Sequence, residues 1–361
     1  MARINVTQTF LPPLEEYQAY LLDIWSSGQL TNQGPLLLEF EKQIKSYLEA
    51  DNFHFLSNGT IALQLVLRAL DITEGEIITT PFSYVATTSS ILWERCTPIF
   101  VDIDPNTLCI DPNLIEAAIT EKTKAIMAVH VFGSPCDVEA IELIAKRHDL
   151  KVIYDAAHAF GVEYKGRKLL TYGDVSTCSF HATKLFHTIE GGGIVTNSQE
   201  ISDRVELLKR FGHNGDEHYM LGINAKANEF QAAMGIVNLK YIDELIKERQ
   251  RLAEIYDSLL EGAVVRPKQL EGTIRNYIYY PVILKDESTL LNTVEAMNQE
   301  DIFPRRYFYP SLNTLEYLPS RLKCPTSEAT ASTILCLPMF NGLKEDDIER
   351  ICGLVKKYNA S

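Results

Sequence analysis

Short apolar runs alternate with longer stretches of helical period through the first half of the chain. The runs at 76–80 (EIITT), 97–102 (TPIFVD), 125–131 (AIMAVHV), 152–154 (VIY), 175–180 (VSTCSF) and 193–196 (GIVT) read as strands. Between them, 61–70, 111–120 and 137–147 carry helical patterns. This alternation predicts an α/β fold, a mostly parallel sheet covered by helices on both faces. Ligands of such sheets collect beyond the carboxyl ends of the strands. The pattern changes near residue 226: 227–259 is charged and helical in period, with Phe230, Met234, Val237, Leu239, Ile242, Leu245 and Leu252 as its apolar positions. These helices are expected to link a large domain, 1–235, to a smaller C-terminal α+β domain, 236–361, with strands near 277–284 and 332–337. The stretch before Gly34 is too short for a domain and is expected to pack against the active-site face.

Composition narrows the function classes. The net charge of −14 argues against a nucleic-acid-binding surface, which needs a basic stripe. It leaves room for a local basic pocket, to which Arg305 and Arg306 could belong. The seven cysteines are scattered without a CxxC pair, a poor framework for disulfides or a metal site, so no metal is expected and a reducing cytoplasm fits. The opening residues MARINVT have no apolar signal core, and no apolar run reaches membrane-spanning length.

Polar motifs follow the strand ends. Ser179-Phe180-His181-Ala182-Thr183-Lys184 leads into Glu190 and the glycines 191–193. A lysine directly after a buried strand is unusual, because burying an ammonium is costly; an amine tuned downward by its site is a carbonyl-trapping nucleophile. A solvated loop lysine is the ordinary reading. Asp155 opens DAAHAFG directly after the strand 152–154, where a carboxylate could keep a pyridine nitrogen protonated. A helix N-cap is the competing reading there. Ser57-Asn58-Gly59-Thr60 is a small-residue turn before a helix, either an anion site or an ordinary capped turn. The segment 80–87 (TPFSYVAT) offers Tyr84 to stack on a flat ring, unless it only packs the core. His130, in VHVFG, reads as a satisfied structural histidine. No GxGxxG opens a helix, which disfavours a nicotinamide enzyme.

In order along the chain, TNQGP (31–35), SNGT, PFSYVAT, VHVFG, DAAHAFG, SFHATK, EGGG and GINAKANEFQAAMG (222–235) resemble the DegT/DnrJ/EryC1 family of sugar-nucleotide aminotransferases. Each motif alone is weak; eight in register are specific, and they cover essentially the whole chain. The resemblance implies the fold of type I pyridoxal-phosphate-dependent transferases. It implies that Lys184 holds pyridoxal 5'-phosphate as a Schiff base, that Asp155 pairs with the pyridine nitrogen, and that His158 lies beside the ring. Tyr84 would stack on the ring's other face, and Gly59, Thr60 and Ser179 would hold the phosphate. Asn224 would reach the phosphate of the neighbouring subunit, which implies a homodimer with shared active sites. Ala227 departs from the methionine common in relatives and leaves these roles intact.

The resemblance also implies a ping-pong reaction. L-Glutamate gives up its amine and leaves as 2-oxoglutarate, and the pyridoxamine phosphate form passes the amine to a nucleotide-linked ketosugar. Relatives that dehydrate sugars carry histidine where Lys184 stands, so the lysine points to transamination. The segment 303–310 (FPRRYFYP) resembles members that aminate dTDP-4-keto-6-deoxyglucose, whereas 3-keto enzymes tend to show a His-Tyr-Pro-like segment. Thr31, Arg305, Arg306 and Tyr309 are the candidate substrate contacts: arginines suit a diphosphate and aromatics suit a thymine ring. Surface ion pairs are the competing reading of the arginines. The alternatives kept open are a 3-aminotransferase, a sugar dehydratase, and a non-catalytic regulatory protein on the same fold.

Overall fold

A computed structural model of the chain describes residues 3–318 and 322–359. The predicted strands appear within a residue or two as β2 Glu76–Thr79, β3 Thr97–Phe100, β4 Thr123–Val129, β5 Lys151–Asp155, β6 Val175–Ser179 and β7 Gly192–Thr196. The apolar stretch before Ser57 adds β1, Asn52–Leu56. The sheet order is β1-β7-β6-β5-β4-β2-β3. Strand β7 runs antiparallel to both neighbours, and the pairs from β6 out to β3 are parallel. Both faces are covered, which is why the middle strands read as unbroken apolar runs: Val152, Ile153 and Tyr154 of β5 are all buried.

Helices α1 Leu14–Ser27, α2 Pro35–Leu48, α3 Gly59–Ala69, α4 Val85–Trp93, α5 Val138–Arg147, α6 Gln199–Leu208 and α7 Glu229–Leu239 surround this sheet. Helix α2 starts with Pro35 and buries Leu37, Phe40, Ile44 and Leu48, a stripe at helical spacing. Phe40 packs among Phe53, Phe55 and Phe180 on one face. Helices α3 and α6 cover the opposite face with Leu63, Val66, Val205 and Leu208. The predicted helix at 111–120 shrinks to Pro112–Ile115 followed by a 3-10 turn, because it buries Ile115 alone fully and Ile119 is already extended.

A second core forms where α8 Ile242–Leu260, α9 Glu287–Gln299 and α11 Glu345–Asn359 pack on the antiparallel pair β8 Tyr280–Ile283 and β9 Ile334–Leu337. Helix α10, Pro325–Thr333, leads into β9. The N-terminal stretch ties both cores together. Ile4–Asn5 pairs in parallel with Ile302–Phe303, and Val6 accepts a hydrogen bond from Met339. A few residues on, Thr9 donates to the carbonyl of Ala182 at 2.8 Å, and the Phe10 carbonyl bonds His187. The stretch before Gly34 therefore does lie against the loop that carries Lys184. No helix among the described residues is long and apolar enough to cross a membrane.

Candidate active site

Strand β5 ends in Asp155, whose carboxylate is 6% exposed. The hydroxyl of Thr87 donates to Oδ2 at 2.7 Å, and the backbone N–H of Ala157 donates to Oδ1 at 3.1 Å. No helix follows Asp155, so the N-cap reading falls. Burial raises its proton affinity, while Thr87, Ala157 and the charge of Lys184 lower it. Lys184 stands on the loop after β6, its backbone tied to the His181 carbonyl at 2.9 Å. Burial pushes its amine down to about 8, against the opposing pull of Asp155. The loop thus supplies an amine that is half neutral near pH 8, far more so than an ordinary lysine.

His158 lies three residues after Asp155 and is buried. Its Nδ1 accepts the backbone N–H of Phe132 at 3.3 Å, which leaves Nε2 to carry the proton of the neutral ring. Burial holds its proton affinity well below the usual histidine range. Phe132 and Phe308 lie parallel to the imidazole at 6.4 and 5.7 Å, and Tyr279 meets it edge-on. These aromatic rings fix the orientation of the imidazole.

The third part is the start of α3. Asn58 caps the helix by accepting the N–H of Ile61 at 2.9 Å, which leaves the amides of Gly59 and Thr60 at a helix N-terminus. A Cβ on Gly59 would sit 3.0 Å from the Cβ of Ser179, so glycine lets the end of β6 close on the turn. A Cβ on Gly192 would fall 2.3 Å from the backbone of Asn58. The result is a cradle of N–H groups and a hydroxyl, suited to a phosphate.

All three parts line one cavity of about 810 Å³. An aldehyde carbon beside Lys184, a protonated ring nitrogen against Asp155 and a phosphate in the α3 cradle match the donors present, so the residues fit pyridoxal phosphate. Of the predicted site residues, Lys184, Asp155, His158, Gly59, Thr60, Ser179, Tyr84 and Arg305 meet at this cavity. Tyr84, 62% exposed, still offers its ring to it.

Others are not brought there. Arg306 pairs with Glu287 at 2.6 Å and lies over the ring of Tyr309 at 3.5 Å, and neither side chain lines the cavity. Arg305 bridges to Cys336 through both backbone groups, and the Tyr307 N–H then bonds the Arg305 carbonyl at 3.1 Å, closing a tight turn at Arg306; Arg305, Tyr307 and Phe308 line the cavity and Arg306 does not. Thr31 and Asn224 are exposed and lie outside the cavity of their own chain. His130 is only half satisfied: Nδ1 accepts the N–H of Cys136 and the ring stacks on Tyr154, but its buried Nε2 has no partner among the described residues.

Residues 14–356 match the DegT/DnrJ/EryC1/StrS aminotransferase family. The chain belongs to that family. It is 42% identical to a dTDP-4-amino-4,6-dideoxy-D-glucose transaminase of Shigella dysenteriae and 39% identical to one of Escherichia coli, covering 98% of each chain in both cases. Among solved structures, DesI in the presence of its TDP-sugar product superposes with a TM-score of 0.93 at 31% identity, over 98% of this chain and 92% of that one. This member of the family is a pyridoxal-phosphate-dependent sugar-nucleotide aminotransferase.

Sequence reasoning missed several residues that line or support the aminotransferase's cavity. Thr87 was present in the PFSYVAT segment, but only the fold brings it to Asp155, 68 positions away. Tyr279, Tyr307 and Phe308 come from the C-terminal part of the chain to pack with the main core, and no local pattern marks them as cavity walls. His181 and Glu190 flank Lys184 within the motifs already noticed and line the cavity 3.5 Å apart. All seven cysteines are buried and unpaired, and the described residues include no cluster able to hold a metal ion.

Proposed function

We propose that this aminotransferase moves the amino group of L-glutamate to C4 of dTDP-4-keto-6-deoxy-D-glucose, giving dTDP-4-amino-4,6-dideoxy-D-glucose. The observation that carries this reading is the 42% identity, over 98% of both chains, to a transaminase named for that product. The cavity suits it. Arg305 is the one of the two arginines that faces inward, beside Tyr307 and Tyr279, and a guanidinium near aromatic rings fits a nucleoside diphosphate.

In this reading Lys184 is the anchor and the proton carrier. Once its amine is free and neutral, Nζ takes a proton from the substrate carbon and returns it on the far side of the transfer. When bound, pyridoxal phosphate supplies a protonated ring that draws off the charge developing at that carbon. Asp155 holds the proton on the ring nitrogen. His158 and Tyr84 confine the ring from its two sides, and Gly59, Thr60 and Ser179 hold its phosphate. Arg305 orients the nucleotide.

We further propose a homodimer in which Asn224 and Thr31 complete the partner's cavity. Exposed Phe211, Tyr219, Leu221 and Ile223 surround Asn224 and support a surface that a second copy would cover. Residues 1–235 and 236–361 are proposed as its large and small domains, and the unpaired cysteines support a reducing cytoplasm.

The test is to supply the purified enzyme with L-glutamate and either dTDP-4-keto-6-deoxy-D-glucose or its 3-keto isomer, and to locate the new amine by NMR. Release of 2-oxoglutarate and amination at C4 are expected. A product aminated at C3 would overturn the substrate, and no 2-oxoglutarate with either sugar would favour a regulatory protein.

A further inference from the structure

Behind Asp155 runs a short chain of buried hydroxyls that the reaction described above does not use. Thr87 Oγ1 donates to Asp155 Oδ2 at 2.7 Å, and Ser83 Oγ lies 2.8 Å from Thr87 Oγ1. Both residues are buried, Thr87 in the first turn of α4 and Ser83 two residues before that helix begins. Chemistry fixes the direction of the chain. An ionised carboxylate only accepts, so the Thr87 proton goes to Asp155, and Ser83 must then donate to Thr87. Each donor in such a chain polarises the next. If Asp155 became protonated, the chain would have to reverse, with Ser83 losing its acceptor.

We propose that Thr87, backed by Ser83, is a positioning residue that keeps Asp155 ionised and aimed at the ring nitrogen of the cofactor. The need for it follows from burial. Asp155 has almost no access to water, and its carboxylate is pushed toward the neutral acid. The other titratable groups around it are Lys184, His158 and Cys178; burial keeps the histidine neutral and the thiol protonated. Lys184 also favours the anion, and it gives up its charge during turnover. Beside the protonated ring nitrogen that Asp155 would face, Thr87 and the N–H of Ala157 are then the protein groups that favour the carboxylate anion, and Thr87 is the one a mutation can remove. Its branched side chain, packed on α4, leaves the hydroxyl little freedom to turn away.

The inference rests on the reading of Asp155 as the ring-nitrogen partner, so the experiment includes Asp155→Asn. Holoenzymes carrying Thr87→Val, Thr87→Ser, Ser83→Ala, Asp155→Asn and the Thr87→Val/Asp155→Asn pair are compared. Three quantities are read: the pH titration of the cofactor's visible absorbance, the rate of cofactor loss on dilution, and the single-turnover rate with L-glutamate alone. Thr87→Val is expected to slow the glutamate reaction roughly 10- to 100-fold, the range for a hydrogen bond to a charged group. Its absorbance midpoint should move upward, because a less protonated ring withdraws less charge from the Lys184 nitrogen. Thr87→Ser should restore most of both, Ser83→Ala should move them the same way but less, and Thr87→Val should add little once Asp155 is asparagine. A serine variant no better than valine, an unmoved titration, or an equal loss in the Asp155→Asn background would each overturn the proposal. Should Thr87→Val fail to fold, an unmoved titration in Ser83→Ala overturns it. An Asp155→Asn enzyme with unaltered absorbance and retention would instead sink the reading of Asp155 itself.

Discussion

Asp155 and Lys184 share one buried field, and each changes what the other can do. The carboxylate favours a charged lysine, but burial wins, and the amine falls to about 8. In the cofactor-free protein, labelling of the Lys184 peptide by a small amine-reactive reagent should therefore rise with a midpoint near pH 8, against the ordinary lysine value of 10.5. The sign carries over to stability. Between those two values the unfolded chain holds a proton that the folded chain has released, so this group's contribution to stability rises with pH across that window. Replacing Lys184 with alanine should abolish turnover with either substrate. Phosphate affinity should stay within about threefold, since the α3 cradle is built from other residues; equilibrium titration with inorganic phosphate checks this. At this scale the meeting of Lys184 and Asp155 at one cavity was legible in the sequence, because one lies at the end of a strand and the other in the polar loop after the next. The aromatic frame around His158 was not, since Phe132, Tyr279 and Phe308 come from three separate segments.

Elements place those groups, and the tightest junction is where α3 begins. The turn, the end of β6 and the start of β7 approach so closely that two positions carry no side chain. Gly59→Ala would press a methyl group against Ser179 at 3.0 Å and narrow the cradle. The folded protein should survive, while cofactor loss on dilution accelerates. Gly192→Ala meets backbone rather than a flexible side chain, at 2.3 Å from Asn58. It should destabilise the fold by roughly 1–3 kcal/mol, seen as a lowered Tm of the cofactor-free protein. Asn58→Ala removes the cap on Ile61 and should cost about 1 kcal/mol. The strands were readable because parallel strands buried on both faces leave continuous apolar runs. Strand β1 was harder: its five residues alternate polar and apolar from Asn52 to Phe55, the pattern of a half-exposed strand, although His54 is buried in the sheet. The direction of β7 had no sequence signal, since it depends on which edge of β6 the chain returns to.

The molecule as a whole decides how the sugar nucleotide is held. Arg305, bridged to Cys336 of β9, reaches the cavity from the C-terminal part of the chain, so Arg305→Ala should raise KM for the sugar nucleotide about tenfold or more while the glutamate half-reaction keeps its rate. A change in the glutamate rate instead would place Arg305 among the groups that serve the cofactor. The shared-site proposal has a direct check. Lys184→Ala and Asn224→Ala proteins, each inactive alone, should regain activity when unfolded together and refolded as mixed dimers, because one of the two cavities is then intact. No recovery would count against Asn224 acting across subunits. At this scale the sequence told least, because cavity walls drawn from the far C-terminal part of the chain leave no periodic trace.

The pairing of Ile4–Asn5 with Ile302–Phe303 also sets a timetable. Ile4 and Ile302 are 298 positions apart. At roughly 5–20 residues per second, the ribosome takes about 15–60 s to deliver the partner strand. The earliest residues must stay unpaired through that interval, while the central sheet has all its strands by residue 196. The pairing of Ile4–Asn5 and the second core can close only near the end of synthesis, whereas Thr9 and Phe10 have their partners Ala182 and His187 far earlier. A nascent chain stalled before residue 302 would hold every strand of the central sheet beside an N-terminal edge still waiting for its partner.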